Sequence, residues 1–408
     1  MKKFIKYTAA VAATTLAMTS CTEDNNPVVD PTMDLVKEAE AKWAALSGLD
    51  EATGAGDLTA AWAKDWAVGV DYAGTVVAQA AIDEAKANNR VLEGRYSENV
   101  TIGAGEVWVL NGGVHFDEGA MLTIGAGAII VDERDAESED AEVAAKAVGY
   151  ILMERGSKIM AEGTAEEMIV FTSTKQERGA WGGLIINGRA PINAGDENGE
   201  AEAEISGSKY GGADAADNSG MLKFVRVEFT GNIITADKEH NGITFNGVGN
   251  QTVVENVQSH MGADDGFEWF GGTLNVSNLI STGSEDDSFD WTFGWSGKGM
   301  NLIAIQSADA GDRGIEADNN RNNNTLEAYS NPTLENVTLI GRNADGKAGF
   351  KFREGTKATV KNLLVENFQI ALDVQHDVTL TNLIDGNLSV ENFKAVGATT
   401  VLKFKGDE

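Results

Sequence analysis

The 408-residue sequence has one cysteine, four prolines and four histidines. A single cysteine, Cys21, cannot close a disulfide within the chain, and a thiolate zinc or iron–sulfur site needs several. Four scattered histidines leave little for a His-rich transition-metal centre. Positive charge is also scarce, with 32 Lys and Arg against 63 Asp and Glu and a net charge of −31. That balance excludes a nucleic-acid partner, because phosphate binding needs cations on the contact face. No run approaches eighteen consecutive apolar residues, so no membrane-spanning helix is expected. What is plentiful is glycine, at 47 residues, and a 42% hydrophobic fraction large enough to build a core and exclude wholesale disorder.

The first residues carry Lys2, Lys3 and Lys6 and no acid, followed by an apolar Ala/Val/Thr/Leu stretch from Tyr7 to Met18 that ends at Thr19-Ser20-Cys21. A positive start, a short apolar stretch and small residues before a cut site make a secretory signal. The cysteine at the cut predicts a lipoprotein signal over 1–20 and a lipidated Cys21. Loss of 1–20 removes three lysines and no acid, taking the net charge from −31 to −34. Residues 21–31 read as a polar tether. Glu23-Asp24 resembles the acidic export signal of surface lipoproteins, which implies an outer-membrane, cell-surface address with the lipid as the membrane contact.

Residues 32–89 are alanine-rich, with Leu35, Ala39, Trp43 and Leu46 at helical spacing and a second short helix over Val77–Lys86. Trp43, Trp62 and Trp66 are expected to pack this segment on a larger body, with the segment covering one end of it. From residue 90 to 408 the texture changes to short Val/Ile/Leu/Phe strands punctuated by Gly, Asn and Asp. An apolar-x-Asn-apolar unit recurs around Asn256, Asn278, Asn336, Asn362 and Asn382, with a degenerate copy at Asn301. A strand-built repeat of 20 to 26 residues predicts an all-β fold, a right-handed parallel β-helix solenoid with a short N-terminal α-helical segment. The recurring asparagines are expected to ladder along one turn. The 35-residue step between Asn301 and Asn336 holds an asparagine-rich insertion around 318–331, expected as a loop.

Several stretches together resemble a family of secreted right-handed β-helix surface lipoproteins of Bacteroidota. They are Gly156–Ile159 through Trp181–Gly188, Phe224–Phe229, Asn241–Thr244, Asp264–Gly272 and Ser330–Pro332. The resemblance spans roughly residues 100–385. It implies a fold and a location; the biochemical function of that family is unestablished, and the helical segment before residue 90 falls outside it.

Aligning rungs places Ile243, Phe267, Phe289, Ile315 and Phe350 in one inward column and Thr244, Glu268, Asp290, Glu316 and Lys351 in one outward column. Asp264, Asp265, Asp286, Asp287 and Asp312 flank the outward one. Carboxylates at rung spacing raise each other's pKa or recruit a cation, and oxygen-only ligands favour Ca2+. The expected ligands are Asp265, Glu268, Asp287, Asp290, Asp312 and Glu316; the alternative is a solvated acidic face relieved by Arg313, Lys351 and Arg353. Of the nearby aromatics, Trp269 and Trp291 are expected inside, and Phe270 and Trp295 exposed for stacking on sugar rings.

Three functional readings follow. The first is a non-catalytic, lipid-anchored surface protein that binds a glycan or another surface component, stabilised by Ca2+. The second is a carbohydrate-active hydrolase or lyase using Asp265, Asp287, Arg313 and Lys351. Asp264-Asp265-Gly266, Asp286-Asp287, Asp312-Arg313-Gly314 and Lys351-Phe352-Arg353 are similar to successive polygalacturonase motifs, although Asp312-Arg313 stands where that family has its histidine. The third is a structural surface protein that self-assembles.

Overall fold

The computed structural model describes residues 31–45, 50–133, 147–235 and 238–407. Cys21, the signal segment and nearly all of the tether lie outside the described residues. Twenty-three strands form one continuous ladder in which every pairing is parallel. This is the β-helix expected from the repeat. Two small antiparallel hairpins stand apart from it, Glu200–Glu202 with Lys209–Gly211 and Ile233–Thr235 with Lys238–Glu239.

The asparagine ladder runs up one corner. Asn256, Asn278, Asn301, Asn336 and Asn362 each adopt φ between +56° and +59°, a left-handed turn that asparagine tolerates better than other side-chain-bearing residues. Each amide donates to the carbonyl oxygen of the one above, at 2.8 Å for Asn278 to Asn256, 2.8 Å for Asn301 to Asn278, 3.0 Å for Asn336 to Asn301 and 2.8 Å for Asn362 to Asn336. The expected last member is corrected. Asn382 lies in a helix (Asp377–Asp385) and donates to the Gly355 and Thr356 carbonyls. Asn392, with φ +53°, takes its place between Glu391 and Phe393, the register partners of Lys361 and Leu363. The helix inserted before the last long strand displaced the repeat by that much chain.

Inside the coil, Ile243, Phe267, Phe289, Ile315 and Phe350 are fully buried in one column. Phe267 and Phe289 stack at 5.5 Å. Each such ring contributes about 1.5–3 kcal/mol on burial, so the inward column fixes the register, and with it the outward column.

The N-terminal region follows an unexpected path. Helix α1 (Pro31–Ala44) covers the C-terminal end of the solenoid, where Ala39 and Trp43 join Leu380, Leu383 and Phe393 in the core and Trp43 meets Phe393 edge-on at 5.7 Å. From Asp50 the chain runs lengthwise along the outer face. Thr53 and Gly54 donate to Asn362, Ala55 donates to Thr338, Gln258 clasps both backbone groups of Val68, and Thr75 donates to Glu228. Helix α2 (Gln79–Ala87) then packs Ile82 and Ala85 on Val109 and Val131, just before the first rung. Only α1 sits over an end; the remainder is a strap from one end of the coil to the other.

Candidate metal and ligand groove

Backbone register stacks Thr244, Glu268, Asp290, Glu316 and Lys351 in the predicted order. Below them the column continues to Asp373 and Lys403. The flanking acids have a structural task as well. Asp265 Oδ1 accepts the Asp287 backbone N–H at 2.9 Å, and Asp287 Oδ1 accepts that of Arg313 at 2.7 Å. Each turn is thereby tied to the next by a carboxylate pointing along the axis.

The column is partly covered: Glu268 and Asp290 are half-buried, Asp286 beside them is exposed, and Glu316 and the flanking Asp265 and Asp287 are buried. Asp265, Asp287 and Glu316 are only 6%, 3% and 6% exposed. Asn241 donates to Glu268 at 2.5 Å and to Thr244 at 3.2 Å, covering one flank. Tyr210 and Glu204, from the 200–211 hairpin and its loop, lie close enough to Glu268 for their charges to interact.

Four overlapping groups of three carboxylates bring ligand oxygens within 4.8 Å of one another. They are Asp264/Asp265/Asp286, Asp265/Glu268/Asp290, Asp286/Asp287/Asp312 and Asp287/Asp290/Glu316. The expected ligands therefore divide. Asp265, Glu268 and Asp290 converge, as do Asp287, Asp290 and Glu316, whereas Asp312 meets only Asp286 and Asp287.

Charge divides the same column. In its lower part Arg313 reaches Glu316 at 3.0 Å and Asp312 at 2.5 Å, and Lys347 reaches Asp312 at 2.8 Å. Lys351 sits 3.3 Å from Glu316, and Arg353 pairs with both Glu316 and Asp318. In the upper part no Lys, Arg or His pairs with Asp264, Asp265, Glu268 or Asp290 among the described residues. The Asp290 Oδ1 atom is buried without a hydrogen-bond partner there. Burial, reinforced by Asp264 for Asp265, by Glu204 for Glu268 and by Glu268 for Asp290, pushes all three carboxyls well above the usual range. Asp264 is pushed to about 8 by burial and by Asp286. Asp312 goes the other way: burial opposes ionisation, but the Lys347 hydrogen bond and the Arg313 charge outweigh it and hold the carboxyl low. A cluster this dense and partly buried, with no paired cation among the described residues, favours taking up protons or a metal ion. All-oxygen donors of this kind suit Ca2+.

The aromatic expectations are corrected in part. Trp269 and Trp291 are inside as expected, but so is Trp295, at 0% exposure. It stacks on Trp269 at 4.6 Å and donates its Nε1–H to the Leu274 carbonyl. Trp295 follows the strand Phe289–Thr292 in a turn, where strand alternation no longer decides direction. Phe270 is half-buried, packed against Phe293 at 5.9 Å and Tyr210 at 6.4 Å. Glu204 and Tyr210, and Glu239, whose charge acts on Asp264, went unrecognised in the sequence because they come from inserted hairpins with no period.

The fold and these rungs define a parallel β-helix that carries a stack of carboxylates along one outer face. Residues 94–407 match the pectate-lyase-like β-helix domain family, and the chain belongs to it. No curated protein and no solved structure matches the chain.

Proposed function

We propose that the protein is a lipid-anchored surface β-helix whose acidic groove binds Ca2+ and, through it, a glycan. The observation that carries this reading is Asp290, which belongs to two three-carboxylate groups and has a buried oxygen without a hydrogen-bond partner, with no cation paired to the upper group among the described residues. Asp265, Glu268 and Asp290 would hold the ion, leaving coordination positions for ligand hydroxyl or carboxylate oxygens. Membership of a pectate-lyase-like family supports a carbohydrate ligand by analogy of fold. Binding at this site is favoured over cleavage because the basic residues that elimination would need are engaged, Arg313 with Asp312 and Glu316, and Lys351 with Glu316.

The test is thermal unfolding with Ca2+ and with chelator, for wild type and Asp290→Asn. Ca2+ at a hundredfold excess over its Kd should stabilise wild type by about 2.7 kcal/mol and leave the variant unmoved. Equal melting temperatures for wild type in Ca2+ and in chelator would falsify the metal reading. Incubation with uronic-acid and neutral polysaccharides should give retention on affinity electrophoresis without new reducing ends or unsaturated products.

The address is part of the same reading. Lipid on Cys21 would lie ten residues before the start of α1, a reach of at most about 35 Å. Since α1 covers the C-terminal end, that end would face the membrane and the first rungs would point outward. A Cys21→Ser protein should leave the membrane fraction.

A further inference from the structure

The outward column that carries the acids continues towards the N-terminal end through Ile185 and Leu152 to His115. Four rungs separate His115 from Glu268, about 19 Å at strand spacing. His115 Nδ1 lies 3.0 Å from Glu154 Oε1, and His115 Nε2 lies 3.0 Å from the Tyr150 hydroxyl. Glu154 is fixed further by Ser208, whose hydroxyl donates to its two oxygens at 2.8 and 2.9 Å, and by Arg95 at 2.9 Å. These hydrogen bonds and charges outweigh burial and keep its carboxyl low. An ionised Glu154 accepts only, so His115 Nδ1 must carry the hydrogen, and Nε2 is left as the acceptor for the Tyr150 O–H.

The ring of Tyr150 is held from both sides. It meets His115 edge-on at 5.6 Å and lies against His240 at 5.2 Å. A side chain on Gly113, its register neighbour, would run into the ring, and one on Gly182 would press on both Tyr150 and His240. His240 is buried, and burial lowers its pKa to about 4, so it is neutral at neutral pH. Tyr150, His115 and Glu154 are all partly exposed. Beside them lies a cleft of about 330 Å³ whose cations are each paired with an acid, Arg95 with Asp117, Arg189 with Glu118, and Arg155 and Lys209 with Glu200.

Hydroxyl to base to orienting carboxylate is the arrangement of an activated nucleophile. We propose that Tyr150, His115 and Glu154 form a second, esterolytic centre, set beyond the buried Leu152 and Ile185 on the same face, that acts on an O-acyl ester of a glycan bound at the acidic rungs. The choice of a glycan ester rests on the binding reading above. Tyr150 Oη attacks the acyl carbon while its proton passes to His115 Nε2. The bond from that carbon to the sugar oxygen breaks, and His115 returns the proton to the departing hydroxyl. Water then attacks the aryl ester on Tyr150, its proton passing through His115 to the phenol oxygen as the acyl–oxygen bond breaks. The sum is ester plus water giving acid plus alcohol. A phenol releases its proton near pH 10, far more readily than an alkanol, and its ester is correspondingly easy to hydrolyse. Burial and the nearby Glu154 charge raise the Tyr150 phenol above its usual range, with Arg95 opposing them, so its proton leaves only as His115 Nε2 takes it. Glu154 is a positioning residue.

The test uses two substrates with the full chain: 4-nitrophenyl acetate, which needs no glycan recognition, and O-acetylated xylan. Wild type should release acetate from both faster than buffer. Tyr150→Phe, which removes one oxygen, should lower both rates at least 100-fold without shifting the melting temperature. Glu154→Gln should lower kcat with KM unchanged. Acid-quenched wild type should carry acetyl on Tyr150 by peptide mass spectrometry. A Tyr150→Phe protein within threefold of wild type, or wild type no faster than buffer on both substrates, overturns the proposal. Tyr150-dependent cleavage of the aryl ester without retention of any glycan would instead sink the glycan reading and leave the centre standing.

Discussion

Two ladders run along this solenoid, and they solve the same stacking problem in opposite ways. At the asparagine corner, identical side chains recur at each rung, and each amide is both donor and acceptor. Asn256, Asn278, Asn301, Asn336 and Asn362 therefore satisfy one another. In the groove the repeated group is a carboxylate, which when ionised only accepts. Glu268, Asp290 and Glu316 cannot satisfy one another, and what completes them must come from elsewhere. In the lower rungs the protein supplies it as Arg313, Lys351 and Arg353. In the upper rungs it supplies the Asn241 amide to Glu268 and, among the described residues, no paired cation. A column that closes itself is architecture; a column left open at one end is where a ligand is expected.

The largest effect should come from opening the closed end. Arg353→Ala removes the partner of Glu316 and Asp318 and leaves buried charge behind, a loss of about 3–5 kcal/mol by urea unfolding. Arg353→Lys should recover part of it. A loss below about 1 kcal/mol would mean that the two ends of the column are not different. Next in size is Asp290→Asn, which acts on the open end with a sign that depends on metal. In chelator it relieves repulsion and should raise stability above wild type. With Ca2+ at a hundredfold excess over Kd, wild type should gain about 2.7 kcal/mol that the variant lacks. Crossing of the two proteins' stabilities between the two conditions is the diagnostic result.

The amide ladder provides the third comparison. Asn301→Ala leaves an unanswered acceptor on Asn278 and an unanswered donor on Asn336, and it strains a backbone at φ +59°. About 2 kcal/mol should be lost. Asn301→Gly removes the strain but not the unmet bonds, so about half should return. If alanine and glycine are equal, the ladder's value lies in the hydrogen bonds alone.

How much of this was legible in the sequence depends on which residues obey the period. The five-rung register from Thr244 to Lys351 could be read because each outward residue is bracketed by an inward apolar one, and a one-residue slip would bury the acids in the core. Trp295 and Asn382 were misplaced for the complementary reason: one sits in a turn and the other in an inserted helix, where the strand period carries no information. Glu204 and Tyr210 reach the groove from an insertion, and only the folded chain shows it. Tyr150 and His115 are brought together by the register of Gly113 with Tyr150, across a stretch too irregular to align. The alanine-rich pattern predicted two helices near the N-terminus, but amphipathicity says only that a helix needs a surface. That α1 lies at the far end of the coil follows from the apolar patch of Leu380, Leu383 and Phe393, which no local pattern connects to it.

The last comparison is read as a slope with pH rather than as a single difference. Asp264, at the open end, has its folded pKa raised to about 8 by burial and Asp286, against about 3.9 when unfolded. The folded state then binds the extra proton, so this contribution is fully present below pH ~4 and is lost as pH rises towards 8, by at most about 1.4 kcal/mol per pH unit for one net proton. Asp312, at the closed end, has a lowered pKa, so its contribution is present above the ordinary carboxyl range and lost as pH falls through it. His240, held to about 4 by burial, also loses its contribution on the acid side, as pH falls below about 6.5. In chelator the stability curve should therefore slope downward from pH 5 to pH 8. Asp318, raised to about 7 by burial, adds to the same slope, but Ca2+ competes only with the protons of the carboxylates that hold it and not with His240, so adding it should lift the alkaline side and leave the acid side in place. The gap between the two curves should widen steadily with pH. A gap that is constant from pH 5 to pH 8 would place the cation away from these carboxylates, because only a site that shares its ligands with protons can make metal binding depend on pH in this way.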